Sequence, residues 1–152
     1  TMFMRLLIQQ QTFATDFRMI TSALKMISDM ERIGDQALDI AEIAEYVTDD
    51  IKSKINIKEM AETTVKMVMN SVDSYVRKDI DIANSVIGLD DTVDALFDKA
   101  KSELINVIRT ENENAEGLLD LLMVAKYFER IGDHAENIAE WVIFAVTGNH
   151  KA

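Results

Sequence analysis

The sequence predicts an all-α protein, an antiparallel bundle of long helices. Three observations carry that expectation. The 152 residues contain no Pro and only five Gly, so little interrupts a helix. Apolar residues recur with a period near 3.6. Capping residues appear where that pattern breaks. Residues Met2 to Gln11 read as the tail of one helix. Thr12-Phe13-Ala14-Thr15 reads as a turn, with Thr15 or Asp16 as N-cap of a helix running to about Asp50. The apolar stripe of that helix is Ile20, Ala23, Ile27, Met30, Ala37, Ile40, Ala41, Ala44 and Val47. Asn56 with Glu59 three residues on fits a capping box, opening a helix that reaches about Lys78. After a break at Lys78-Asp79-Ile80-Asp81, a further helix runs to Arg109. The polar tract Thr110 to Asn114 is a turn. A last helix spans Ala115 to about Val146, and Gly148 ends it.

Composition narrows the function. Acidic residues outnumber basic ones 27 to 16, giving a net charge of -11. Such a surface repels phosphate backbones and argues against nucleic-acid binding. It attracts cations and basic protein patches. With no Cys, neither a disulfide framework nor a thiolate metal site is available. No apolar run is long enough to span a bilayer, and no secretory signal is evident.

The chain repeats itself. Glu31-Arg32-Ile33-Gly34-Asp35 recurs as Glu129-Arg130-Ile131-Gly132-Asp133, an offset of 98. The match continues through Ala37/Ala135, Ile40/Ile138, Ala41/Ala139 and Glu42/Glu140. Two pseudo-repeats are therefore expected: residues 1–54 as the end of a first unit, and residues 55–152 as a complete three-helix second unit. The same offset places the partners of Asp90 and Asp94 ahead of Thr1, so the front of the first unit is expected to be missing. Part of the apolar stripe after Asp16 should then lie exposed and pack on another copy or on further native residues.

Three carboxylate rows stand out. Glu31, Asp35 and Asp39 share one helix face at four-residue spacing. Glu129 and Asp133 repeat the pair, with Asn137 in place of the third acid. Asp90, Asp94 and Asp98 form a third row. Stacked like charges repel unless a cation or Arg neutralises them, and oxygen-only ligand sets suit Mg, Mn, Ca or iron. A solvated acidic face is the plainer account of any single pair; three rows, two within a duplicated motif, favour metal. Arg32 and Arg130 point about 100° away from their neighbouring acids, so pairing with another helix is expected of them. Gly34 and Gly132, each costing roughly 1 kcal/mol against Ala in a helix, imply a close helix crossing or a ligand beside the backbone. His134 corresponds to Gln36 in the repeat and is expected to be exposed or interfacial rather than a ligand. His150 carries no signal. The nine Met and Phe128, Trp141 and Phe144 are at core spacing. No nucleophile-base constellation is present, and the Glu-x-x-His of di-iron bundles is absent, since Gly34 and Gly132 occupy the third position after each Glu.

The doubled motif, ERIGDQALDIAE at 31–42 and ERIGDHAENIAE at 129–140, resembles the PhoU family. Gln9-Gln10-Gln11-Thr12-Phe13-Ala14-Thr15-Asp16-Phe17-Arg18 is similar to that family's RQQP-type turn, with Thr12 where Pro is usual. The resemblance covers essentially the whole chain. It implies a non-enzymatic cytoplasmic adaptor, placed at the inner face of the membrane. Such an adaptor negatively regulates the phosphate-starvation response between a phosphate ABC transporter ATPase and a sensor histidine kinase. It also implies metal clusters, of Fe, Mn, Zn or Mg, on Glu31, Asp35, Asp39, Asp90, Asp94, Asp98, Glu129 and Asp133. A homo-oligomer is expected. The competing reading is a metal-dependent hydrolase or oxidase built on a carboxylate bundle.

Overall fold

A computed structural model describes residues 1–111 and 114–149. These fold into five helices: α1 (Met2–Ala44), α2 (Asp49–Lys52), α3 (Lys58–Arg77), α4 (Ile80–Thr110) and α5 (Ala115–Thr147). Helices α3, α4 and α5 pack against one another as a three-helix bundle, and α1 packs along α5. Asn112 and Glu113 of the predicted 110–114 turn lie outside the described residues, as does His150.

Local chemistry accounts for the breaks. The Asn56 side chain accepts from the Lys58 backbone N–H at 3.1 Å, opening α3. Lys78 takes the left-handed conformation (φ 52°) and ends α3. Asp79 then caps α4, accepting from the N–H groups of Asp81 at 2.9 Å and Ile82 at 3.1 Å. Gly148, at φ 79°, closes α5 where a side chain would be strained.

The first helix departs from expectation in three ways. No turn forms at residues 12–15, because α1 is continuous. Thr12 and Thr15 donate their hydroxyls to the carbonyls of Ile8 and Gln11 one turn back instead of capping a new helix. With Thr12 in place of Pro, no backbone donor is lost there. The helix also ends at Ala44 rather than near Asp50, and the short α2 follows. Finally, the buried stripe is Ser22, Met26, Asp29 and Ile33, while Ile20, Ile27 and Met30 are exposed. The partner helix, not the most apolar stripe, selects the buried face.

Two core clusters hold the bundle. The larger lies among α3, α4 and α5 and takes in Met26 and Ile33 of α1; Met67, Val86 and Val93 are fully buried there. The smaller joins Val47, Ile51 and Ile55 to Ala100, Leu104 and Leu118. Phe128 and Trp141 pack against the first cluster as expected. Trp141 also meets Phe144 edge-on, with ring centroids 5.6 Å apart. In contrast, the stretch from Met2 to Phe17 lies wholly exposed, its Phe3, Leu6, Ile8 and Phe13 included.

The paired glycines part company. A Cβ on Gly132 would lie in ordinary contact with Met67 Sδ and Val93 Cγ1, each at 3.6 Å, so α3 and α4 pack against this backbone but leave room for a methyl group. A Cβ on Gly34 would meet nothing within 4 Å. Gly34→Ala is therefore expected to stabilise the chain by roughly 0.5–1 kcal/mol through helix propensity alone. Urea unfolding checks this, and a loss of stability would show that something covers Gly34.

A candidate metal centre

Asp90 and Asp94 sit one turn apart on α4, both to the same side of the fully buried Val93. They therefore line the rim where α4 meets α5. Across that rim stands Asp133, next to Gly132, against which the Val93 side chain packs. One carboxylate oxygen from each of Asp90, Asp94 and Asp133 falls within 4.8 Å of the others. Two of the three predicted rows thus converge, from different helices, on one point.

The electrostatics match that crowding. Burial, then the hydrogen-bonding and charged carboxyl of Glu136, then the charge of Asp94, push Asp90 up to about 7. Burial and the charges of Asp90, Asp94 and Glu129 push Asp133 up to about 6. Asp94 is raised by burial and by Glu129, Asp91 and Asp98, with Lys126 opposing. Glu136 is raised chiefly by burial. Two ionised carboxylates have no donor between them, so unless a neighbouring carboxyl shares a proton the buried Asp90 Oδ1 has no hydrogen-bond partner. A shared proton or a cation resolves such a site. Carboxylate oxygens from three side chains within 4.8 Å of one another fit a hard cation.

The other candidates are placed differently. Glu129 stands beside the group but is held by Lys126 at 2.6 Å, and the Lys126 ammonium lies 5.1 Å from the Phe97 ring centroid. Asp98 is exposed a turn beyond Asp94 and acts on it through charge. Glu31 and Asp35 are exposed on α1 and Asp39 is half-buried. Among the described residues they gather into no group of three. Glu136 was not singled out from the sequence, although it lies three residues past Asp133. Its repeat counterpart is Leu38, so the duplication hid it.

A second polar cluster joins α1 to α5. Asp29 is only 7% exposed, and its Oδ1 lies 3.0 Å from His134 Nδ1 and 3.5 Å from Asn137 Nδ2. His134 is thus interfacial, as expected, and Asn137 is turned toward α1 instead of the carboxylate group. Asp29 escaped notice because its counterpart is Tyr127. Asp29→Ala leaves two partly buried groups unpaired and is expected to cost about 1–3 kcal/mol in chemical denaturation. Asp29→Asn, which keeps an acceptor oxygen, should cost less. Equal losses would show that the contact is packing alone.

Fold and site together define a long-helix bundle protein with clustered carboxylates at a helix rim. The PhoU domain model matches residues 1–44 and 57–142. The chain belongs to the PhoU family. It is 35% identical over 142 residues to a phosphate-specific transport system accessory protein PhoU homolog of Clostridium acetobutylicum, covering 92% of this chain and 65% of that protein. A homolog of the same description from Deinococcus radiodurans is 31% identical, with 97% of this chain and 70% of that protein covered. The crystal structure of PhoU from Pseudomonas aeruginosa superposes with a TM-score of 0.83 at 34% identity, over 96% of this chain and 71% of that one. The chain spans 65% and 61% of the length of the Clostridium and Pseudomonas aeruginosa curated relatives. No helix among the described residues is long and apolar enough to cross a membrane.

Proposed function

We propose that this chain is part of a non-enzymatic regulatory adaptor of phosphate uptake. It acts as a negative regulator of the phosphate-starvation response, between a phosphate ABC transporter ATPase and a sensor histidine kinase. Its place is the cytoplasm, at the inner face of the membrane. Membership of the PhoU family carries this reading, since relatives are named accessory proteins of a phosphate-specific transport system. The division at residue 54 into the end of one repeat and a complete second repeat belongs to the same proposal. So does a homo-oligomer, or packing against further residues of the native protein, which the exposed apolar side of α1 supports.

In this reading Asp90, Asp94 and Asp133 hold a cation, with Glu129, Asp98 and Glu136 around them; Glu31, Asp35 and Asp39 serve a second site. Oxygen donors favour Mg, Mn or Fe, with Zn less suited. A bound cation would supply the positive charge that the clustered acids lack. The convergence of oxygens from Asp90, Asp94 and Asp133 within 4.8 Å is the observation that supports occupancy most directly. Deleting the gene should derepress phosphate-scavenging genes when phosphate is plentiful. Unchanged expression would count against the adaptor. Turnover of phosphoesters or reductants by Mn- or Fe-loaded protein would favour a metal-dependent hydrolase or oxidase instead.

A further inference from the structure

The carboxylates of the α4–α5 rim stand in a ladder with a cation at one end. Asp133 of α5 converges with Asp90 of α4, and Lys126 Nζ of α5 lies 5.1 Å from the centroid of the Phe97 ring of α4. Residue n of α4 therefore lies beside residue 223 − n of α5, and Glu129 faces Asp94. The three pairs follow at steps of three and four residues, so they share one face of each helix. Two rungs are acid against acid, and the third is an ammonium over a ring.

That ammonium is the charge set against the acids. Lys126 is half-buried, its Nζ lies 2.6 Å from Glu129 Oε1, and it opposes the repulsion that the neighbouring acids exert on Asp94. The motif arginines do not share this task. Arg130 turns to the Tyr127 ring of its own helix, 5.7 Å from the centroid. Contrary to expectation, neither it nor Arg32 reaches a carboxylate of another helix among the described residues. The lysine belongs to the second unit alone, since the offset of 98 puts Ser28 in its place in the first.

We infer that Lys126 is a built-in counter-cation of the carboxylate site, which an entering metal ion displaces from Glu129, so that this lysine sets how tightly the site holds metal. A hard cation takes about six oxygen donors, more than the three carboxylates that converge. Glu129, one turn from Asp133 and facing Asp94, is placed to join them, and Lys126 is what holds it back. The freed ammonium keeps a resting place over Phe97, because a ring face holds a cation without a carboxylate. Lys126 also repels the incoming ion directly. Both effects act in one direction: the lysine weakens metal binding and neutralises the site while it is empty. This inference rests on the metal-centre reading and names what regulates that centre.

Mn titrations of the full chain, with free Mn counted by electron paramagnetic resonance, test it. Lys126→Met should tighten the dissociation constant about tenfold, the scale of one charge a turn away from a doubly charged ion after solvent screening. Lys126→Gln should act likewise and repeats the test should the methionine disturb packing. Lys126→Arg, which keeps the charge and the reach, should stay within about threefold of the native chain. Adding Glu129→Gln to Lys126→Met should remove most of the gain, because Glu129 supplies it. A lysine that merely braces α5 would leave the affinity unchanged. One that positions Glu129 as a ligand would make Lys126→Met bind more weakly. Either result overturns the inference and leaves the metal centre standing. No Mn bound by the native chain or by Lys126→Met overturns the metal centre, and the inference with it.

Discussion

Mn or Fe at about one hundred times its dissociation constant is expected to raise the melting temperature of the metal-free protein by roughly 5–10 °C. A ligand that binds only the folded chain stabilises it by about 2.7 kcal/mol at that excess, and each kcal/mol moves a domain of this size by roughly 2–4 °C. The Asp94→Asn, Asp133→Asn double variant should respond much less. Its own metal-free baseline should not fall. Those two substitutions remove negative charge from a place where Asp90, Glu129 and Glu136 already repel it. The expected pattern is therefore crossed: the variant melts as high as the native chain or higher without metal, and lower with it. General damage to the fold would lower both. Equal metal responses in the two proteins would place the cation elsewhere.

The pH dependence of the metal-free chain should run opposite to that of most proteins. Asp90 and Asp133 start from an ordinary value of 3.8 and are raised on folding to about 7 and about 6. Between those limits the folded chain holds protons that the unfolded chain has released. Stability is then full below about pH 4 as far as these groups are concerned. It falls as pH rises through 6 and 7, and is flat beyond. The groups facing the site are Asp91, Asp94 and Asp98 on α4, and Lys126, Glu129, Glu136 and Glu140 on α5. Only Lys126 among them offsets the repulsion, and Glu129 already engages it. Because the carboxylates are largely open to solvent, the loss is discounted to roughly 1–2 kcal/mol between pH 5 and 8. Urea titrations with chelator at the two pH values measure it. Saturating metal should abolish or reverse the trend, since the cation displaces the same protons. Stability rising from pH 5 to 8 in the chelated protein would contradict the crowding.

Much of this was legible in the chain itself, for reasons that differ by residue. Asn56, Asp79 and Gly148 announce the helix ends because each acts within a few residues of itself. The carboxylate rows were legible because i, i+4 spacing fixes a shared face on any helix. Their convergence was not, since it depends on how α4 rolls against α5 around Val93 and Gly132. The Thr12–Thr15 turn misled because the same hydroxyls that cap a helix also bond back within one. The buried stripe of α1 misled because Asp29 is chosen by what α5 offers, a His and an Asn, and not by its own hydropathy. The repeat exposed the motif and concealed its exceptions, Glu136 and Asp29, which have no counterpart of the same kind.

Elemental analysis tests the metal centre most directly. Protein purified without chelator, incubated with Mn or Fe and dialysed, should retain at least one metal per chain. The Asp90→Asn, Asp133→Asn variant, treated identically and shown by circular dichroism to be equally helical, should retain far less. Equal retention by both proteins, or none by either, would contradict a cation at Asp90, Asp94 and Asp133.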